Sequence, residues 1–372
     1  MIMNHMLKFT LILTLIFSSI GNSQTKVDVS LQKEIEHSII QGLKWLYVQQ
    51  EENGSWNNYP AITALVLSSF LRAHPNISIQ DTIIDKGFNF LKKCVQTDGG
   101  IYLDDMKSYN TAICLMAFED AKMLEFEPII MNAKKYLIGL QFNEINGYKV
   151  DSIYFGGISY GKDDKAPDLS NLQWALEALR DKEYKEIELQ HSEDKQYEKS
   201  RTLFYENAIK FLERTQNYQK TNDQPYATND GGFMYRPGES KAGDTKSYGG
   251  MTYAGLKSYI HARLSKDDER IEAAFNWIRN NFSVTENPGL GEQGLYYYYH
   301  TMAKALNIYG DEVIVDGNNN ERKWRNELAD QLIKTQTTEG FWVNSNARWW
   351  ENNPVLVTAY SLLALEEILG RQ

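Results

Sequence analysis

The chain has 372 residues, with 39 Lys and Arg against 49 Asp and Glu for a net charge of −10, 12% aromatic residues and two cysteines. A chain this acidic lacks the basic stripe that a polyphosphate partner requires, which excludes a general nucleic-acid binder, and it is too aromatic to be disordered. Two cysteines exclude a disulfide scaffold and a cysteine-rich zinc module, while the length permits one large domain or two ordinary ones.

Residues 1–23 read as a signal peptide. Lys8 precedes an apolar stretch from Phe9 to Phe17, and the small residues Gly21 and Ser23 stand ahead of Gln24. The apolar stretch is roughly half the ~20 residues a membrane-spanning helix needs, and no second such run follows. A membrane anchor is the weaker alternative, and no cysteine lies near the cleavage point to carry lipid. Cleavage removes Lys8 and no acid, taking the charge to −11. The expected product, residues 24–372, is a secreted or periplasmic protein without a transmembrane segment.

Beyond Gln24 one pattern recurs: a small residue, a large apolar residue three positions on, then Gln four to six later. It appears as Gly42/Trp45/Gln50, Gly87/Phe90/Gln96, Ala133/Tyr136/Gln141 and Ala208/Phe211/Gln216. Ala274/Trp277 follows with Phe282 near the Gln slot, and Ala329/Leu332/Gln336 is the last copy. Each copy lies in a stretch of 3.6-residue apolar period, followed by a Gly/aromatic turn and a second stretch rich in Ala, Leu and Thr. All eight prolines fall between or at the starts of these stretches, as helix sterics require.

Six helical hairpins result, and the second helix of each is the more uniformly apolar, hence the more buried. The expected fold is all-α, an (α/α)6 toroid in one domain. An open superhelix is the rival, but it would need polar capping repeats, and the last copy is as apolar as the middle ones. The unequal repeat spacing marks loop insertions. Outer-to-inner loops over 51–60, 97–109, 142–169, 218–246, 283–293 and 337–354 emerge at one end, where a site is expected. Among the return connections, 181–200 is a charged insert, read as a solvated helix extension or a flexible segment.

The segments Gln50–Trp56 and Gln336–Trp342 both fit Gln-x3-Gly-x-Trp, and Gln96–Tyr102 fits with Tyr last. Such a Gln can reach backbone groups left open at a helix end, the Gly can supply positive φ, and the aromatic covers the turn. This staple resembles the QW repeat of squalene and hopene cyclases, and the hairpins resemble protein prenyltransferase β-subunits. The resemblance spans Gln41–Ala364 and implies the toroid fold and an apolar, isoprenoid-like ligand.

The chemistry of these relatives is not reproduced. Cyclases of this kind protonate an alkene with an Asp-x-Asp-Asp-Thr-Ala motif, where this chain has Lys107-Ser108-Tyr109-Asn110 ahead of Thr111-Ala112, with Asp104-Asp105 displaced. Prenyltransferases bind zinc through Asp, Cys and His. Here Asp244 lies where the Asp ligand would be and Lys246 where the Cys would be, and an ammonium cannot replace a thiolate. The segment Pro288–Gly294 is similar to the thioester motif of complement-type toroids, but Leu290 replaces its Cys. No metal and no cofactor are therefore expected.

The loop end collects Asp104, Asp105, Asp168, Asp244, Glu292, Arg348 and Glu351, with Tyr235, Trp342, Trp349 and Trp350 among them. Asp244, Glu292 and His300 are the candidate catalytic residues. Asp168, Tyr235, Tyr253, Tyr296, Trp342, Arg348, Trp349 and Trp350 are the candidate ligand-binding residues. The alternative roles are helix capping for Asp168 and Asp244, an Arg348–Glu351 pair, and solvation for the rest. Tyr296, His300 and Lys304 share one helical face at i, i+4 spacing and are expected to point together into the cavity. Cys94 and Cys114 sit at similar height across a hairpin, as a disulfide or as two packed thiols. Three functions fit: an exported cyclase-like protein holding an apolar ligand, a secreted carbohydrate-active toroid using two rim carboxylates, and a non-catalytic toroid that holds a protein partner.

Overall fold

The structure is a computed structural model that describes residues 27–73, 82–180 and 195–371. The segment 1–23, expected to be a signal peptide, and residues 181–194 of the charged insert lie outside the described residues. Residues 195–200 belong to the helix Lys195–Thr215.

Twelve α-helices occur among the described residues. Six are half-exposed outer helices: α1 (Val29–Val48), α3 (Thr82–Lys93), α5 (Glu127–Gly139), α7 (Lys195–Thr215), α9 (Glu269–Asn280) and α11 (Trp324–Thr335). Each is followed by an inner helix: α2 (Pro60–Ala73), α4 (Lys107–Asp120), α6 (Leu169–Ala178), α8 (Gly249–His261), α10 (Leu295–Tyr309) and α12 (Pro354–Ile368). Every residue of α12 from Val355 to Ile368 is buried, whereas α3 buries one stripe that includes Ile83, Phe88 and Leu91. That difference follows from the all-round apolar sequence of the one and the amphipathic sequence of the other.

The inner helices pack in sequence, α2 on α4, α4 on α6, α6 on α8, α8 on α10 and α10 on α12, and α12 returns to α2. This last contact makes the fold a closed toroid rather than an open superhelix. A short hairpin, β1 (Ile314–Val315) and β2 (Glu321–Arg322), joins α10 to α11.

The recurring Gln is what stitches one hairpin to the next. Gln50 Nε2 donates to Gly54 O at 2.9 Å and to Ile83 O at 2.8 Å, so it bridges its own turn to α3. Gln141 reaches Gly156 O and Phe204 O on α7, and Gln216 reaches Gly231 O and Arg270 O on α9. Gln336 reaches Gly340 O at 2.8 Å and Ser38 O on α1 at 2.9 Å, closing the circle between last hairpin and first. Gln96 departs from the rule and bonds to Cys94 O and Tyr102 O within its own hairpin.

The glycines beside these residues are forced twice over. Gly156 has φ +85°, and a Cβ there would lie 1.9 Å from Asn207 O on α7. Gly54, Gly231 and Gly340 meet the backbone of α3, α9 and α1 in the same way, at 2.3, 2.3 and 2.8 Å. The aromatic that follows seals the turn. Trp56 and Trp342 are fully buried, and their indole N–H groups donate to Leu46 O and Leu332 O at the ends of α1 and α11. Their backbone N–H groups donate to Thr63 and Thr358 in the inner helices, which accounts for the Thr content of those stretches. Trp342 is thus a structural residue and not a ligand contact. The fifth hairpin lacks the Gln, and the end of α9 is tied instead to the β1–β2 hairpin, by Gly317 N–H to Arg279 O and by Arg279 Nε to Val315 O.

Candidate functional site

The amino ends of all six inner helices face the same end of the ring, so their unpaired N–H groups and positive dipole ends converge there. Neighbouring hairpins supply the caps. Asn110 Oδ1 accepts from Ala61 N on α2, Asn287 Oδ1 from Gly250 N on α8, and Glu351 Oε1 from Tyr297 N on α10 at 2.7 Å. Asp168 caps its own helix, accepting from Asn171 N at 2.8 Å and Asn171 Nδ2 at 2.9 Å.

Inside this collar lies a cavity of about 290 Å3 to which every hairpin contributes. Its walls are Ile62, Tyr109, Ser170, Met251, Tyr297 and Tyr360 from the inner helices, with Tyr59, Tyr160, Tyr235 and Tyr248 from the loops. Trp349 and Trp350 stand at the mouth, 44% and 50% exposed, both with left-handed backbone (φ 56° and 66°). Trp350 meets Tyr59 edge-on at 5.2 Å, so the sixth hairpin reaches across to the first. Two consecutive non-glycine residues at positive φ are costly and are held by their surroundings. Glu351 anchors one side of this turn on α10, and Asn353 caps α12 on the other.

Glu351 lines the cavity and Asp168 does not, and both buried acids are committed to structure. Asp168 is fully buried and takes a further hydrogen bond from Tyr235; burial pushes its carboxyl up to about 6, against the bonds from Asn171 and Tyr235. Burial also raises Glu351, whose second oxygen accepts from Asn344 Nδ2 at 2.7 Å. Arg348 does not pair with Glu351: it is exposed, bonds Gln293 Oε1 at 2.8 Å and stacks on Trp349.

Several predicted site residues lie elsewhere. Asp244 and Glu292 are exposed on rim loops and do not line the cavity, and Asp244 caps no helix. Glu292 instead meets Ser345 Oγ at 3.3 Å. Tyr253 is buried between α8 and α10, edge-on to Tyr298 at 5.6 Å. Tyr296 turns outward to Thr335 on α11. The inward face of α10 carries Tyr297, His300 and Lys304, one residue later in the tyrosine run than the expected Tyr296. His300 is fully buried below the cavity, stacked on Trp174 at 5.6 Å and against Tyr360 at 5.2 Å. Burial, reinforced by Lys304, holds its imidazole well below the usual range and therefore neutral.

The residues that sequence reasoning missed are Tyr59, Tyr109, Tyr160, Tyr248, Tyr297 and Tyr360. All but Tyr160 and Tyr360 lie at or just before the first turn of an inner helix, and that position is the signal that could have found them. Lower down the ring, Glu177 accepts from Lys257 and Lys304, which outweigh the effect of burial and hold its carboxyl low. Arg72 pairs with Asp120 and Glu367 at 3.0 and 3.3 Å. Cys94 and Cys114 are buried free thiols. Among the described residues no group of three or more His, Cys, Asp or Glu is placed to hold a metal, and no helix is long and apolar enough to cross a membrane.

No family model and no curated protein matches the chain. Solved structures do resemble it. A type II terpene cyclase from Scytonema in complex with its product merosterolic acid A aligns with a TM-score of 0.53 at 12% identity, over 93% of this chain and 100% of that one. The same cyclase in complex with its substrate geranylgeranyl dihydroxybenzoate gives 0.54 at 13% identity, over 93% and 100%. An α-amylase from Clostridium perfringens gives 0.56 at 13% identity, over 92% and 99%. At such identities the likeness concerns architecture, and function must be argued from the site. These likenesses show the fold: the chain is an all-α (α/α)6 toroid, the architecture it shares with the cyclase and α-amylase structures.

Proposed function

We propose that this is an exported toroid that binds a short isoprenoid or similarly apolar ligand in its axial cavity. The observation that carries the reading is the convergence of all six hairpins on one aromatic chamber whose lining acid, Glu351, already serves as a helix cap. The volume of about 290 Å3 stands at the low end of small-molecule pockets, about 300–1,000 Å3, which suits a short chain rather than a triterpene. Tyrosine and tryptophan rings present apolar faces to such a ligand and polar tips to its ends. Export rests on the apolar segment Phe9–Phe17 and the small residues before Gln24.

The α-amylase likeness and the exposed Trp349 and Trp350 favour a second reading, carbohydrate binding at the mouth. Hydrolysis would require two carboxyls free to face a sugar, and Asp168 and Glu351 are both engaged. The test is mass spectrometry of organic extracts from protein purified out of its native compartment, with fluorescence titration by farnesol and maltohexaose. Recovery of a prenyl lipid and saturable quenching by farnesol are expected. Binding or cleavage of maltohexaose without any farnesol response would replace the first reading with the second.

A further inference from the structure

The inward faces of two facing inner helices carry the same ladder of side chains. On α6, Ser170 lines the cavity, Gln173 and Trp174 follow at i+3 and i+4, and Glu177 lies at i+7. On α10, Tyr297 lines the cavity, His300 follows at i+3 and Lys304 at i+7. One helical face therefore passes from an aromatic chamber, through a middle level, to the Glu177–Lys304 ion pair.

That middle level is polar and unsatisfied. Gln173 Nε2 and Oε1, Trp174 Nε1, and both ring nitrogens of His300 are buried without a hydrogen-bond partner. Buried polar atoms of natural proteins are nearly always paired, so five on side chains in mutual contact or adjacent in sequence demand an explanation. Trp174 and His300 stack on each other at 5.6 Å, and Lys257 and Lys304 lie over the Trp174 ring at 5.2 and 5.5 Å. Towards the mouth, Trp174 meets Tyr109 edge-on at 6.1 Å and His300 meets Tyr360, both walls of the cavity.

We propose that Gln173, Trp174 and His300 form an axial subsite beneath the aromatic cavity that takes the neutral, hydroxyl-type head of an amphiphilic ligand. The inference rests on the apolar-ligand reading and names the ligand's polar end. The lysines beside the subsite are already held by Glu177, and Arg72 by Asp120 and Glu367, so no charge on the ligand is called for. An uncharged imidazole and an amide each offer a donor and an acceptor, and the indole adds a donor. A hydroxyl, which both donates and accepts, satisfies that mixture; an anionic head only accepts. The Tyr109 and Tyr360 hydroxyls meet at 3.1 Å above the subsite, and an entering hydroxyl exchanges that bond for its own.

The experiment compares farnesol, its hydrocarbon analogue farnesene and farnesyl diphosphate by calorimetric titration of the full chain. Farnesol is expected to bind at least about tenfold more tightly than farnesene, the worth of one or two buried hydrogen bonds, and more tightly than the diphosphate. His300→Phe and Gln173→Leu each reduce farnesol to the affinity of farnesene and leave farnesene unchanged. Independently of any variant, farnesol shifts the imidazole 15N resonances of His300 in the wild-type chain, and farnesene does not. Equal affinity for alcohol and hydrocarbon, a preference for the diphosphate, or an unmoved His300 signal overturns the subsite alone. Failure of all three probes to bind overturns the apolar-ligand reading together with it.

Discussion

Asp168 offers a quantitative test of how the collar around the cavity is held. Its carboxyl is fully buried and sits at about 6 rather than 3.8, chiefly through desolvation. A shift of roughly two units is about 3 kcal/mol of linkage between protonation and folding. The sign follows from which state holds the proton more tightly. The folded state does, so stability is highest below the unfolded value near 4 and declines as pH rises through about 6. Asp168→Asn keeps an oxygen acceptor for Asn171 N–H and removes the titration. Urea unfolding of both proteins at intervals from pH 4 to pH 8 should therefore show the wild type losing about 3 kcal/mol more than the variant across that range. Glu366, raised by burial to about 7, contributes a similar slope to both proteins and cancels in the difference. Parallel stability curves for wild type and D168N would refute the reasoning.

Gln336→Ala should cost about 1–3 kcal/mol by removing the bonds to Ser38 O and Gly340 O and leaving the buried Ser38 hydroxyl without its acceptor, and hydrogen exchange should speed up on both sides of the α1–α12 contact. Gln96→Ala, whose bonds stay within one hairpin, should leave exchange in other hairpins unchanged. Gly156→Ala should lower stability by about 3 kcal/mol or more, measured by thermal unfolding, because the new Cβ meets Asn207 O at 1.9 Å. Gly243→Ala, at φ +91° with open space around it, should cost only about 1 kcal/mol. Trp350→Ala, at a half-exposed site, should change stability by less than about 1 kcal/mol and weaken farnesol binding several-fold. Thiol reagent should label neither Cys94 nor Cys114 in the native state and both in urea, since both are buried and burial pushes the Cys94 thiol up to about 11.

The architecture was legible because its signals are local. The Gln, Gly and Trp of each staple lie within seven residues at Gln50–Trp56 and Gln336–Trp342, and one helical turn enforces their spacing. Even the third and fourth copies, where Gln141 and Gln216 find their glycines fifteen residues on, were marked by the small and aromatic residues upstream. The site was harder to read because its membership depends on rotation about a helix axis. In the run Tyr296–Tyr299, a step of one residue turns a side chain by about 100° and separates Tyr297 in the cavity from Tyr296 against α11. Asp244 and Glu292 are candidates by chemistry and by position in rim loops, but nothing in those loops says which way a side chain faces, and both face water. Asp168 and Trp342 show the opposite case: their residue types announced a role, and that role is capping and sealing.

The seam between Gln336 and Ser38 also constrains how such a chain can change over time. An open array can gain or lose a unit at either end, since each unit meets only its neighbours. Here the first and last hairpins are themselves neighbours, so adding or deleting a single hairpin would leave a gap or a clash at a junction built for six. Variation is then pushed into places that do not alter the count. The long connections after Gln141 and Gln216, and the β-hairpin between α10 and α11, are places where length can change without altering that count.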